Sequence, residues 1–262
     1  MLFEAEHLSK RFGGLTAVSD FNLSLDKGEL VGLIGPNGAG KTTVFNLMTG
    51  IIPPTSGIVR LDGQDITKMP AYEVSRLGVA RTFQNLRLLK SVSALQNVVT
   101  AVQRDYSYSF VSALVRTPHF RHQEAEAKKK AQEYLDVVGL GQMADTRADS
   151  LPYGLQRKLE IARALALSPK VLLLDEPAAG MNPDESLELM NLIEGLRRKY
   201  DLTILLIEHH MELVMGICER IIVLNFGEVL AEGNPEEIQS NAEVITAYLG
   251  PDDEEDKEEA LS

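Results

Sequence analysis

Leu30-Val31-Gly32-Leu33-Ile34-Gly35-Pro36-Asn37-Gly38-Ala39-Gly40-Lys41-Thr42-Thr43 is the stretch that decides how this chain reads. Leu30–Ile34 is a short, continuously apolar run, suited to a buried strand. The nine residues that follow match G-x-x-x-x-G-K-[ST], and Thr42–Met48 suits a helix that Gly50 and Pro53-Pro54 end. A strand, a glycine-rich turn and a helix in that order form a phosphate cradle. The glycines let several backbone N–H groups turn inward, and the helix adds its positive N-terminal end. Lys41 is predicted to reach the β- and γ-phosphates of a nucleoside triphosphate, and the Thr42 hydroxyl to ligate Mg²⁺. Gly35, Pro36, Asn37, Gly38, Ala39, Gly40 and Thr43 complete the predicted binding loop.

Further along, Val171-Leu172-Leu173-Leu174 reads as a central strand with Asp175 and Glu176 at its C-terminal end, where α/β proteins bind ligands. Asp175 suits a Mg²⁺ shell, and Glu176 suits the polarising of a water for attack on a γ-phosphate. Paired acids at a strand end also serve as plain helix caps, a reading the phosphate loop makes the weaker. Thr203–Ile207 repeats the design and ends in Glu208-His209-His210. A histidine there could bond a γ-phosphate or its attacking water, or simply be a satisfied structural residue.

Around these motifs the chain keeps an α/β rhythm. Phe21, Leu23 and Leu25 alternate with polar residues as in a half-buried strand, and Gly57–Leu61 reads as another strand. Strands at 171–174, 203–207 and 221–224 alternate with helices expected at 154–167, 184–199 and 211–217, which implies a largely parallel sheet. Asn234, Pro235 and Glu237 have the N-cap, N1 and N3 pattern of another helix start. Between about Ser93 and Asp149 the rhythm turns helical, with apolar spacing at Ala131, Leu135 and Val138 ending at Gly139, and a short candidate at Phe110–Val115. We read this as a helical subdomain inserted into an α/β core.

The 262 residues carry a net charge of −12. That balance disfavours a protein built to grip nucleic acid. Asp252, Asp253, Glu254, Glu255, Asp256, Glu258 and Glu259 stand against Lys257 alone, so half the charge lies in residues 251–262, expected to form a solvated, disordered tail. No apolar stretch approaches the roughly 20 residues of a membrane span. Met1–Phe12 lacks a signal-peptide core, and Cys218 is the only cysteine. A cytosolic location is the expectation.

In order over about residues 2–250, the chain resembles the ATP-binding subunits of ABC transporters. Ala80-Arg81-Thr82-Phe83-Gln84-Asn85 resembles the Q-loop, Leu151-Pro152-Tyr153-Gly154-Leu155-Gln156 occupies the place of the signature segment, and Ala179-Gly180-Met181-Asn182 that of the D-loop. Arg11-Phe12-Gly13-Gly14-Leu15, Arg81–Leu88, Asp175–Pro183, Ile207–Met211 and the extra segment around Asp105–His122 resemble the ATPases of branched-chain amino-acid importers. The resemblance implies a P-loop NTPase fold over 1–250, with an N-terminal antiparallel β subdomain and a helical subdomain over about 93–168. It implies ATP and Mg²⁺ as ligands. Phe12 is implied to stack on adenine, Gln84 to contact Mg²⁺ and the membrane subunits, and His209 to be the switch histidine. Tyr153 and Gly154 are implied to cap ATP held by a second ATPase chain, paired head to tail. Two transmembrane permease subunits, and indirectly an external solute-binding protein, are the implied partners, which would hold the chain on the cytoplasmic face of the inner membrane.

Three departures from the family pattern stand out: Pro152, Asn182, and Tyr153 where the common signature has its first glycine. Pro152 supplies neither the hydroxyl nor the N–H of the serine usual in the signature, leaving the N–H groups of Tyr153, Gly154 and Leu155. Asn182 replaces the usual D-loop aspartate, keeping an acceptor without the charge. A slow but active ATPase is expected. The alternatives are an ATPase of another ABC transporter, such as a lipid or lipopolysaccharide exporter, a soluble ABC protein, or a non-hydrolysing regulator.

Overall fold

A computed structural model describes residues 1–106 and 117–249. The helix candidate at Phe110–Val115 and the tail at 251–262 lie outside the described residues, as does most of the extra segment after Asp105. The chain divides into two compact units, one formed by residues 1–71 with the chain from 203 onward, the other by residues 72–202.

The first unit opens with an antiparallel sheet of β1 (Phe3–Phe12), β2 (Leu15–Leu25), β4 (Ser56–Leu61) and β5 (Gln64–Asp65), in the order β2-β1-β4-β5. The alternation seen at Phe21, Leu23 and Leu25 is genuine, since all three are buried while Asn22 is exposed. Beside it lies the parallel core. β3 (Leu30–Ile34) pairs with β8 (Thr203–Ile207) from Leu30 opposite Ile204, and with β9 (Arg220–Asn225) from Val31 opposite Arg220. Every residue of β3 and β8 is buried, which is why both read as unbroken apolar runs rather than alternations. β10 (Glu228–Gly233) returns antiparallel on β9. Helix α1 (Lys41–Met48) buries Val44, Phe45, Leu47 and Met48.

In the second unit β6 (Val79–Arg81) pairs in parallel with β7 (Val171–Asp175), Arg81 opposite Leu173. Its helices are α2 (Ala71–Leu77), α3 (Ala94–Val102), α4 (Pro118–Val137), α5 (Tyr153–Leu165) and α6 (Pro183–Tyr200). α4 stops before Gly139, whose φ of 78° is the left-handed value that ends a helix. α5 begins one residue and ends two residues earlier than its apolar stripe suggested. The first unit closes with α7 (Met211–Ile217), α8 (Pro235–Gln239) and α9 (Ala242–Leu249). Asn234 does cap α8, in a reciprocal capping box with Glu237.

Candidate functional site: a phosphate loop and a strand-end acid pair

In the first unit the phosphate loop leaves β3 and enters α1 through two glycines that no other residue could replace. Gly35 has φ 148°, and a Cβ there would run into the carbonyl of Leu224. Gly40, at φ 105°, is the N-cap of α1, and a Cβ on it would lie 2.6 Å from the carbonyl oxygen of Ala17. As a cap it offers no side-chain acceptor, so no side chain at Gly40 takes up the first-turn N–H groups of α1. The loop is braced from behind: Gly227 N–H donates to the Ala39 carbonyl at 2.9 Å, and Ser19 N–H to the Gly227 carbonyl at 2.8 Å. Lys41 is only 6% exposed, and its Nζ donates to the carbonyls of Gly35 at 2.6 Å and Pro36 at 2.9 Å. The ammonium thus lies across the loop's entry. Asn37, Gly38 and Thr42 are exposed, and Thr43 is half-buried.

Phe12 ends β1 beside the Gly13-Gly14 turn, opposite Leu15, and is 48% exposed with Lys10 Nζ 5.2 Å from its ring centre. It therefore keeps a ring surface available for stacking. The two adjacent histidines, of which the resemblance chose His209, differ in the structure. His209 is half-buried, its N–H donating to Glu208 Oε2 at 3.2 Å, whereas His210 is exposed and is the N-cap residue of α7.

In the second unit Asp175 ends β7 as expected, 2% exposed. Its Oδ2 lies 2.6 Å from Arg81 Nη2, and its N–H donates to the Thr82 hydroxyl at 3.3 Å. Its Oδ1 is buried without a hydrogen-bond partner. A hard carboxylate oxygen in that condition fits a divalent cation, so Asp175 suits Mg²⁺ even while Arg81 holds its other oxygen. Glu176 has φ 48°, in the left-handed region, as do His7, Asp20, Asp62, Ser168, Asp201 and Phe226. Its Oε2 accepts from Gln84 Nε2 at 2.8 Å. The structure therefore joins two predicted residues that stand 92 positions apart in sequence.

Tyr153 is the first residue of α5 and is exposed; Gly154 is half-buried beside it. Pro152 is the N-cap and makes no side-chain capping bond, in keeping with its missing hydroxyl. Asn182 serves its own helix. Its Oδ1 accepts from Glu185 N–H at 2.9 Å, and Glu185 reciprocates, capping α6.

The sequence assigned no role to three charged residues here. Arg81 neutralises Asp175. Arg157 and Glu160, one turn apart on α5, are both buried and lie 3.2 Å apart. Burial pushes the Glu160 carboxyl above the usual glutamate range, with Arg157 pulling the other way, and burial lowers the Arg163 guanidinium. In sequence, Arg157 and Glu160 look like an ordinary i,i+3 pair on a solvated face. Only tertiary burial distinguishes them.

Residues 18–179 match the ABC transporter family, and residues 228–253 match the branched-chain amino acid ATP-binding cassette transporter family. The chain is 49% identical over 249 residues to the high-affinity branched-chain amino acid transport ATP-binding protein BraF of Pseudomonas aeruginosa, covering 95% of this chain and 98% of that one. It is 48% identical over the same length, with the same coverage, to LivG of Escherichia coli K12, which bears the same description. Among solved structures, a nucleotide-free ATP-binding cassette from an ABC transporter superposes with a TM-score of 0.83 at 30% identity, covering 95% of this chain and 99% of that one. A dimeric post-hydrolysis cassette, MJ0796 bound to ADP and Pi, gives 0.75 at 26% identity over 89% and 99%.

Proposed function

This chain belongs to the ABC transporter family, and we propose that it is the ATP-hydrolysing subunit that drives an importer of branched-chain amino acids. The observation that carries the cargo class is similarity running through residues 228–253 as well as the cassette, since the motifs alone are shared by ABC ATPases of every cargo. The ATPase itself does not select the amino acid.

In this reading Phe12 stacks on adenine, while the loop from Gly35 to Thr43 takes the phosphates through its N–H groups and Lys41. Lys41 then exchanges the loop carbonyls for phosphate oxygens, trading neutral acceptors for charged ones. Thr42, Asp175 and Gln84 are the residues to hold Mg²⁺, which neutralises charge gathering on the phosphates. Glu176 orients and deprotonates the attacking water, and His209 bonds the γ-phosphate. Gln84 donates to Glu176 in this structure, so engagement of Gln84 elsewhere would remove that hydrogen bond from the proposed base.

A second ATPase chain caps the nucleotide with the N–H groups of Tyr153, Gly154 and Leu155. A contact made only while the γ-phosphate is present ties dimer closure to ATP and reopening to hydrolysis. The helical segment at about 93–168 and the residues after Gln84 pass the motion to two transmembrane permeases, fed by an external solute-binding protein. No helix among the described residues is long and apolar enough to cross a membrane, so the permeases would be what holds the chain at the cytoplasmic face. The test is ATP turnover and leucine uptake by the complex copurified from membranes. Turnover no greater than that of the Glu176→Gln complex refutes the enzyme reading; full turnover without stimulation of uptake by any branched-chain amino acid refutes the cargo.

A further inference from the structure

Arg157 lies in the second turn of α5, is 2% exposed, and spends its planar fork on four acceptors. Nη2 donates to the Gln84 carbonyl at 2.6 Å and to the Tyr153 hydroxyl at 2.8 Å. Nη1 donates to the Phe83 carbonyl at 2.9 Å and to Glu160 Oε2 at 3.2 Å. Glu160 in turn accepts from Phe83 N–H at 3.5 Å. Burying a guanidinium is costly unless its donors are met; here the two Nη nitrogens are met by Phe83-Gln84, Tyr153 and Glu160, while the buried Nε makes no hydrogen bond.

Each end of this cluster reaches a residue of the proposed reaction. Gln84 carries its side chain directly to Glu176 at 2.8 Å. Tyr153 opens the helix whose N–H groups face a partner's nucleotide in the proposed dimer, and a Cβ on Gly180 would sit 3.5 Å from its ring. A continuous line of hydrogen bonds therefore runs Tyr153, Arg157, Gln84, Glu176, all within residues 72–202.

We propose that Arg157 is a positioning residue: its fork fixes the backbone of Phe83-Gln84 against the Tyr153 turn, and so sets whether the Gln84 amide meets Glu176. This rests on the ATPase reading above. The consequence is that a nucleotide contacting Tyr153 from a partner chain shifts the same rigid cluster that holds Glu176 in its own chain. A lysine cannot substitute, because a single ammonium cannot serve both the Nη2 acceptors, Gln84 O and Tyr153 OH, and the Nη1 acceptors, Phe83 O and Glu160 Oε2.

The test is a double-mutant cycle on kcat in the assembled complex, crossing Arg157→Lys with Gln84→Ala. If Arg157 acts through Gln84, Arg157→Lys lowers kcat about tenfold with Gln84 present and less than about twofold in the Gln84→Ala background, with KM for ATP unmoved in both. Equal fold-losses in the two backgrounds overturn the proposal, since a merely structural role multiplies through. Should Arg157→Lys show no cooperative melt, Tyr153→Phe replaces it in the same cycle; it removes one acceptor and keeps every backbone N–H. Its expected loss is about threefold, again present only with Gln84. The Glu176→Gln complex is the reference. If it matches wild type, the ATPase reading fails and the proposal falls with it. If it is dead and the cycle is multiplicative, only the role of Arg157 fails.

Discussion

Replacing Arg81 by methionine removes one member of a pair in which both side chains are nearly inaccessible, 5% for Arg81 and 2% for Asp175. At their 2.6 Å separation, and an effective dielectric of about 20, the Coulomb attraction is about 6 kcal/mol. Desolvation of both groups opposes most of that, so the pair itself adds little net stability. The asymmetry appears on mutation. Arg81→Met leaves a buried, uncompensated carboxylate, a change that costs about 3–5 kcal/mol. For a chain of this size about 2–4 °C accompanies each kcal/mol, so the melting midpoint should fall by about 6–20 °C. Adding Asp175→Asn to Arg81→Met removes the stranded charge and should restore most of the loss, although either single change harms. The assay is thermal melting followed by circular dichroism, with urea titration to obtain free energies. If Arg81→Met lies within about 1 kcal/mol of wild type, or if the double variant melts no higher than the single, Arg81 is not the charge partner of Asp175.

Two further outcomes follow from local geometry. Asn182→Ala removes an N-cap acceptor and breaks the reciprocal bond with Glu185, so urea unfolding should show a loss of about 1 kcal/mol, with Asn182→Asp close to wild type. Glu160 has its folded carboxyl raised by burial, so the folded state holds the proton more tightly than the unfolded chain does. Its contribution is then present below the ordinary glutamate range and is lost as pH rises from there through the raised folded value. Wild type should therefore lose ground against Glu160→Gln as pH rises above the ordinary glutamate range in paired melts; a gap that widens in favour of wild type refutes that sign.

What could be read in the sequence was what the chain writes contiguously. The loop from Gly35 to Thr43 declares itself because the strand, the glycines and the helix that make it are neighbours, and the helix of α1 begins within one residue of its expected start. The strands β7, β8 and β9 were legible because burial on both faces leaves an unmistakable apolar run. The short β6 was not, since three residues are too few to show a period, and Val79-Ala80-Arg81 ends in a charge. α3 carries a capping box of Ser93 and Gln96 that could have marked its start. The pairing of Gln84 with Glu176 had no sequence signal at all, because each motif only implied its own role toward the nucleotide.

Tyr153 shows how such contacts can reverse the meaning of a departure. Judged by sequence, Pro152 loses a hydroxyl where the resemblance places the capping of a partner's nucleotide, and Tyr153 stands in place of a glycine while keeping its N–H. The loss at Pro152 stands, for its side chain makes no capping bond. Tyr153, however, puts a hydroxyl 2.8 Å from Arg157, a bond that a glycine could not make, and Arg157 carries it to the Gln84 carbonyl. The substitution therefore exchanges freedom at the helix start for a fixed tie to the segment that holds Glu176. In the proposed dimer this turn would cap a partner's phosphate with one hydroxyl fewer, while the Tyr153 bond would tie its displacement to Glu176. Weakened capping, at Pro152, and tightened coupling, at Tyr153, thus belong to neighbouring residues, and kcat should be more sensitive to Tyr153→Phe than nucleotide affinity is.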